Sequence, residues 1–320
     1  MNPLKLLFIK QITLFRLKQK CDGFTLVELL VGIVIATLVI TPLLGFMINV
    51  MTTERQEQAK ANTEQEIKAA LDYIARDLQQ SVYIYDADGI NKIRQQLRRY
   101  GDKNTFFPVL VFWKRTFLSK ESSTILKDNT FFYSLVAYYL ITEDNATWSK
   151  AARIGRFQIR DGYDSSTETD NKDNPRDKAK PDEGFQMFNL QGLGNLKSKM
   201  NQWTKKSEDY TQKIVPLVDY IDQTIINNTT NPAPPTCTIG QQVPKFDEKH
   251  DNDDAVATGN VRTRGFYVCV DSENTVAEVY LRGNALARLQ NNNIDFNESR
   301  QTYFPQASIR VQGNGFLSAK

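Results

Sequence analysis

The chain has 320 residues, 41% of them hydrophobic, with 18 Phe, 13 Tyr and a formal net charge of +3. That is enough apolar and aromatic material to build a core. The positive charge sits at one end. Lys5, Lys10, Arg16, Lys18 and Lys20 against Asp22 give the first 23 residues about +4, leaving the rest at about −1, so the total is no argument for nucleic-acid binding.

After Gly23 the sequence runs from Phe24 to Val50 with a single charge, Glu28. Those 27 residues would span roughly 40 Å as an α-helix. About 20 apolar residues cross a bilayer, and a secretory signal core needs only about 7–15, so the segment is expected to be a membrane helix. The basic residues before it place the first residues on the cytoplasmic side and the C-terminal bulk outside. A carboxylate in lipid costs on the order of 3 kcal/mol and needs a partner. No Lys or Arg lies between Phe24 and Glu54. A cut after Gly23 would leave an α-ammonium group on Phe24, four residues from Glu28. That amine could pair with the carboxylate within one helix or, better, between neighbouring subunits, which fixes register more surely than stability. Pro42 and Gly45 interrupt the apolar stretch. Proline removes a backbone donor, so Pro42 is a candidate helix kink or point of partial unwinding, or else a tolerated membrane proline.

From Thr52 to about Tyr85 the residues are good helix formers, and Ile67, Leu71, Ile74, Leu78 and Val82 fall on one stripe. An amphipathic helix over 52–85 is the expectation. The pattern then changes to strands: Phe106 to Trp113, Phe131 to Thr142, and Ala152 to Arg160, where Ile154, Phe157 and Ile159 roughly alternate with Arg153, Arg156 and Arg160. Three more candidates are Arg264 to Asp271, Thr275 to Gln290 and Thr302 to Gln312, with Gly283 and Asn284 placed to turn the middle one back on itself.

The stretch from about 161 to 260 interrupts this pattern. Asp161 to Gly184 is polar and loop-like, and its Asp161, Asp164, Asp170, Asp173 and Asp177 do not meet the spacing of a calcium loop. The Asp247-to-Asp254 patch, with His250, has the same solvated character. Between them, Leu193 to Ile226 places Met200, Trp203, Tyr210, Ile214, Leu217, Val218 and Ile221 at mostly helical spacings, predicting a second helix divided near Pro216. Cys237 and Cys269 remain once Cys21 is set aside, and two cysteines in an exported domain suggest a disulfide, free buried thiols being the alternative. No phosphate loop, nucleophile elbow or metal-spaced cluster is present in the sequence, and the single His has no catalytic companion. No catalytic residue, metal or cofactor is expected.

Gly23-Phe24-Thr25-Leu26-Val27-Glu28-Leu29-Leu30 closely resembles the processing site of type IV prepilins and type II secretion pseudopilins. The resemblance implies cleavage by a prepilin peptidase between Gly23 and Phe24, N-methylation of Phe24, and docking of Glu28 in a helical filament. Ala69 to Gln80 resembles the J-type minor pseudopilins and their PilW-like pilin relatives. Tyr280 to Leu289 and Tyr303 to Arg310 resemble the pseudopilins of cyanobacterial hormogonium polysaccharide secretion. Implied partners are the prepilin peptidase, other major and minor pseudopilins, the inner-membrane assembly platform and membrane lipid, with no nucleic acid.

The expected fold is α+β and pilin-like, a long N-terminal helix packed on an antiparallel β-sheet head. Its parts are a leader (1–23), a transmembrane helix (24–51), an amphipathic stalk helix (52–85) and a periplasmic head (86–320) with a helical or loop insertion near 161–260. The resemblance implies a minor subunit of a secretion-type filament, supporting polysaccharide or protein export and motility. A retractable adhesion or DNA-uptake pilus, or a single-pass anchored binding protein, shares the topology.

Overall fold

The computed structural model describes residues 23–102, 105–118, 130–162, 181–191, 193–227, 229–245 and 263–315. Residues 1–22 of the expected leader, four of the five loop aspartates (all but Asp161) and the patch containing His250 lie outside the described residues. The chain divides into two compact units between Glu54 and Arg55.

In the N-terminal unit, helix α1 (Leu26–Gln79) begins after a non-helical Gly23–Thr25. Every described residue up to Arg55 is exposed. Polar side chains in this stretch turn inward on their own backbone. Thr37, Thr41, Thr52 and Thr53 donate their hydroxyls to Val34 O, Thr37 O, Ile48 O and Asn49 O at 2.7–2.9 Å. Such back-bonding removes the need for water around a hydroxyl. Pro42 lies inside a helix that runs unbroken from Leu26 to Gln79.

In the second unit α1 continues as an amphipathic helix. Ala59, Thr63, Ile67, Ala70, Leu71, Ile74, Ala75, Asp77 and Leu78 are buried on one stripe. The helix stops at Gln79, short of the expected Tyr85. Val82-Tyr83-Ile84 is β-branched and aromatic and pairs as a strand instead, so the helical spacing of Val82 is coincidental. The first sheet is a five-stranded antiparallel meander in chain order, β1 (Ser81–Ile84), β2 (Phe106–Leu118), β3 (Thr130–Ile141), β4 (Ala152–Arg160) and β5 (Val215–Ile221). The second is β6 (Gln241–Val243), β7 (Phe266–Asp271), β8 (Val276–Arg282) and β9 (Gln306–Gln312), also antiparallel and in order. A short helix α2 (Ala87–Ile93) follows β1, its N-terminus capped by Asp86, whose carboxylate accepts from Gly89 N at 2.8 Å.

The predicted helix over 193–226 is absent. Only α3 (Leu196–Met200) is helical, and Pro216 lies in β5, paired with Gly155. Proline is tolerated there because β5 is the edge of its sheet. Met200 closes that one short helix and Trp203 lies in the irregular backbone after it, both buried beside an aromatic cluster. Buried Trp113 meets Phe185, Phe188 and Trp203 edge-on at 4.9–5.9 Å. Its indole N–H donates to Tyr85 Oη at 3.1 Å, and Tyr85 in turn donates to Met200 O. Nor do Gly283 and Asn284 make a hairpin. The strand ends at Arg282, and Asn284 caps a 3-10 turn over Ala285–Arg288. Gly283 sits against α1, where an added Cβ would fall 2.4 Å from Thr63 Cγ2.

Two buried polar clusters fix how these layers meet. Asp77, near the end of α1, accepts from Lys114 Nζ on β2 (2.8 Å), Tyr138 Oη on β3 (2.7 Å) and Arg156 Nε on β4 (2.7 Å). Burial pushes the carboxyl up, but Arg156 and Lys114 outweigh it and hold it below the usual carboxylate range. Where the two sheets touch, the guanidinium of Arg282 on β8 is buried against Asp222, with Nε donating at 2.7 Å and Nη2 also reaching Asn231 Oδ1 at 2.8 Å. The second carboxylate oxygen of Asp222 accepts from Thr224 N and Oγ1. Main-chain bonds from Asp222 N to Arg282 O and from Asn284 N to Tyr220 O complete the junction. Cys237 and Cys269 form a disulfide with Cα atoms 5.7 Å apart, closing a separation of 32 residues onto β7.

A long N-terminal helix packed on antiparallel sheets makes this an α+β, pilin-like arrangement. Removing Asp77 leaves two part-buried cations without their counter-charge, so Asp77→Ala should lose about 2–3 kcal/mol of stability in chemical denaturation. The depressed carboxyl adds stability that is fully present above the unfolded-state value of about 3.9 and is lost as pH falls through the folded-state value. Asp77→Asn should therefore be less stable than the parent at neutral pH and flatter in its stability below about pH 4.

Candidate processing and assembly segment

The scissile candidate is accessible. Among the described residues, Gly23 has no heavy atom within 4 Å of where a Cβ would sit, and Phe24 is 78% exposed ahead of the helix. The helix begins two residues later, at Leu26, because Thr25 caps it. Its Oγ1 accepts from Glu28 N at 3.3 Å, and its carbonyl accepts the first helical bond from Leu29 N at 3.1 Å. Thr25 is thus the N-cap and Glu28 the third helical residue, the spacing of a capping box. The signal, Thr-x-x-Glu ahead of an apolar run, is visible in the sequence, though only the folded helix end shows that Thr25 positions Glu28.

Glu28 therefore lies in the first turn, where the positive end of the helix dipole favours a carboxylate. It is exposed and has no ion pair among the described residues. Partial charge at a helix end offsets a carboxylate's desolvation only in part, so an apolar medium still leaves Glu28 short of a full counter-charge. α1 contains an 18-residue window of mean hydropathy 2.5, and among the described residues it is the one helix long and apolar enough to cross a membrane. Together with the processing motif, this suggests membrane anchoring.

The other candidates are distributed elsewhere. Pro42 lies mid-helix in the same unit. Cys237 and Cys269 belong to the head, where they staple the chain preceding β6 to β7. Among the described residues no group of three or more His, Cys, Asp or Glu side chains is placed to hold a metal.

The family model for the prokaryotic N-terminal methylation motif matches residues 18–44. No curated protein and no solved structure matches the chain. The motif supports a type IV pilin-like or pseudopilin subunit, and it implies processing by a prepilin peptidase and assembly with other pilins. It takes in Gly23, Phe24, Thr25 and Glu28, and it stops well before the head.

An N-cap threonine is worth about 1 kcal/mol, so Thr25→Ala should raise amide exchange at Glu28 and Leu29 about fivefold in detergent-solubilised protein while leaving exchange beyond the second turn unchanged. Unchanged exchange at both amides would show that Thr25 does not hold the helix start.

Proposed function

We propose that the protein is a minor pseudopilin-type filament subunit, cut between Gly23 and Phe24, N-methylated at Phe24 and docked through Glu28. The observation that carries this is a lone carboxylate in the first turn of an uncharged helix of bilayer length, four residues past an open Gly-Phe bond. Cleavage creates the missing positive charge beside it. In a bundle of such helices the amine of one subunit neutralises Glu28 of the next, and the pair sets the axial stagger. Gly32, Ala36 and Gly45 keep the helix surface low enough for close approach.

A minor rather than major role is supported by the size of the head. A second sheet and the chain between β4 and β6 add bulk that disfavours dense packing along a shaft. The uncut precursor would sit in the inner membrane with its head periplasmic, and the assembly platform and other major and minor pseudopilins would be its partners. Export of polysaccharide, with gliding motility as its outcome, is supported by the resemblance of Tyr280–Leu289 and Tyr303–Arg310 to the hormogonium-type secretion pseudopilins. Those segments take in the end of β8 with the 3-10 turn that follows it, and the first part of β9 with the last residue of the turn before it.

Glu28→Gln keeps the side chain's shape but removes its charge. In cells carrying the matching assembly machinery, the variant should be cut like the parent while its recovery in sheared filaments falls about tenfold or more, the loss of one charge-assisted contact in a dry interface. Parent-level recovery would contradict docking through Glu28 and favour a tethered extracytoplasmic protein.

A further inference from the structure

A groove of about 460 Å³ lies in the head beside α1, at the free edge of the first sheet. Arg156, Gln158 and Arg160, alternate residues of β4, form a row along it, while Phe157 and Ile159 between them point into the core. Alternation puts successive members of that row on one face about 7 Å apart. Tyr73 of α1, 44% exposed, stands at the groove with the Arg156 guanidinium 5.7 Å from its ring centre. Gln212 and Lys213 contribute from the opposite strand's approach.

The charges here are committed unequally. Arg156 spends only Nε on Asp77. Arg160 and Lys213 have no carboxylate partner among the described residues. Asp182, the one carboxylate in the lining, accepts from the backbone N of Arg160 and from Gln212 Nε2, so it acts as part of the wall. Beyond the Arg156–Asp77 pair, the described lining sets two cations, Arg160 and Lys213, against the one carboxylate of Asp182, with two amides, the Tyr73 ring and the apolar Val215, Pro216 and Leu217 beside them, a surface for an extended anion that carries both hydroxyls and ring faces.

We propose that this groove binds an anionic glycan, with sugar carboxylates on Arg160 and Arg156, hydroxyls on Gln158 and Gln212, and a ring face on Tyr73. Guanidinium forks suit carboxylates, and charge-assisted contacts of this kind are the strong ones. An acidic peptide is the poorer fit. Strand addition along β5 meets Pro216, which lacks an N–H and blunts the edge, and the groove offers no deep apolar pocket for an anchoring side chain. The proposal deepens the reading of the head as the part of an export filament that meets cargo, and rests on that reading for its biological setting.

The test is calorimetric titration of the full chain in detergent with trigalacturonate, neutral maltotriose and hexaglutamate. Filament assembly plays no part in it, so its failure leaves the filament reading standing, and failed assembly leaves this one standing. Trigalacturonate should bind more tightly than the other two, and Tyr73→Ala, Arg160→Gln and Lys213→Gln should each weaken it about tenfold. All three side chains border solvent, so parent-like thermal unfolding is expected, and any variant that unfolds early is set aside in favour of the other two. No binding of trigalacturonate, equal binding by the folded variants, or hexaglutamate binding as tightly would overturn the proposal.

Discussion

A carboxylate inside an uncharged helix of bilayer length cannot be indifferent to where its counter-charge comes from. Between Phe24 and Glu54 the chain supplies no cation. The helix end supplies a fraction of one, and Thr25 fixes where that end lies. Burying the rest of the charge requires an amine from outside the helix or one made by cutting the chain. This single requirement gives meaning to the open Gly23–Phe24 bond, to the absence of any basic residue for the next 30 positions, and to the small residues that let another helix approach.

The head solves a related problem with partners of its own. Asp77 draws one donor from each of three neighbouring strands, and Arg282 binds the end of β5 to the end of β8. Neither cluster is an efficient source of stability, since apolar residues of the same volume would pack with less desolvation. What they provide is geometry. An ion pair satisfied by several directional bonds tolerates one arrangement of helix on sheet, where an apolar stripe tolerates a slide of one turn. The Asp77 cluster also sets Arg156 beneath Tyr73, so the same contact that seats the helix shapes the groove beside it.

Much of this was legible in the sequence where the signal is local. The run Phe106 to Trp113 and the segment Ala152 to Arg160 mark strands by composition and alternation, and Glu28 stands out because one charge in 27 residues needs no context. The failures are equally physical. Val82 continues the spacing of Leu78, yet a β-branched and aromatic run with a waiting partner in β2 pairs as a strand. The apolar residues between Met200 and Ile221 mimic a helix face, but Pro216 and the aromatic cluster around Trp113 draw that chain into coil and edge strand. Asp77 could not be singled out at all, because its donors lie 37, 61 and 79 residues away and are brought together only by the meander.

The claim on which all else turns is that the working polypeptide begins at Phe24. Intact-mass spectrometry of the protein extracted from its native membrane addresses it directly. The expected species lacks residues 1–23 and carries one methyl group on its new terminal amine. A mature protein that still starts at Met1 would contradict it, leaving Glu28 with no amine to meet.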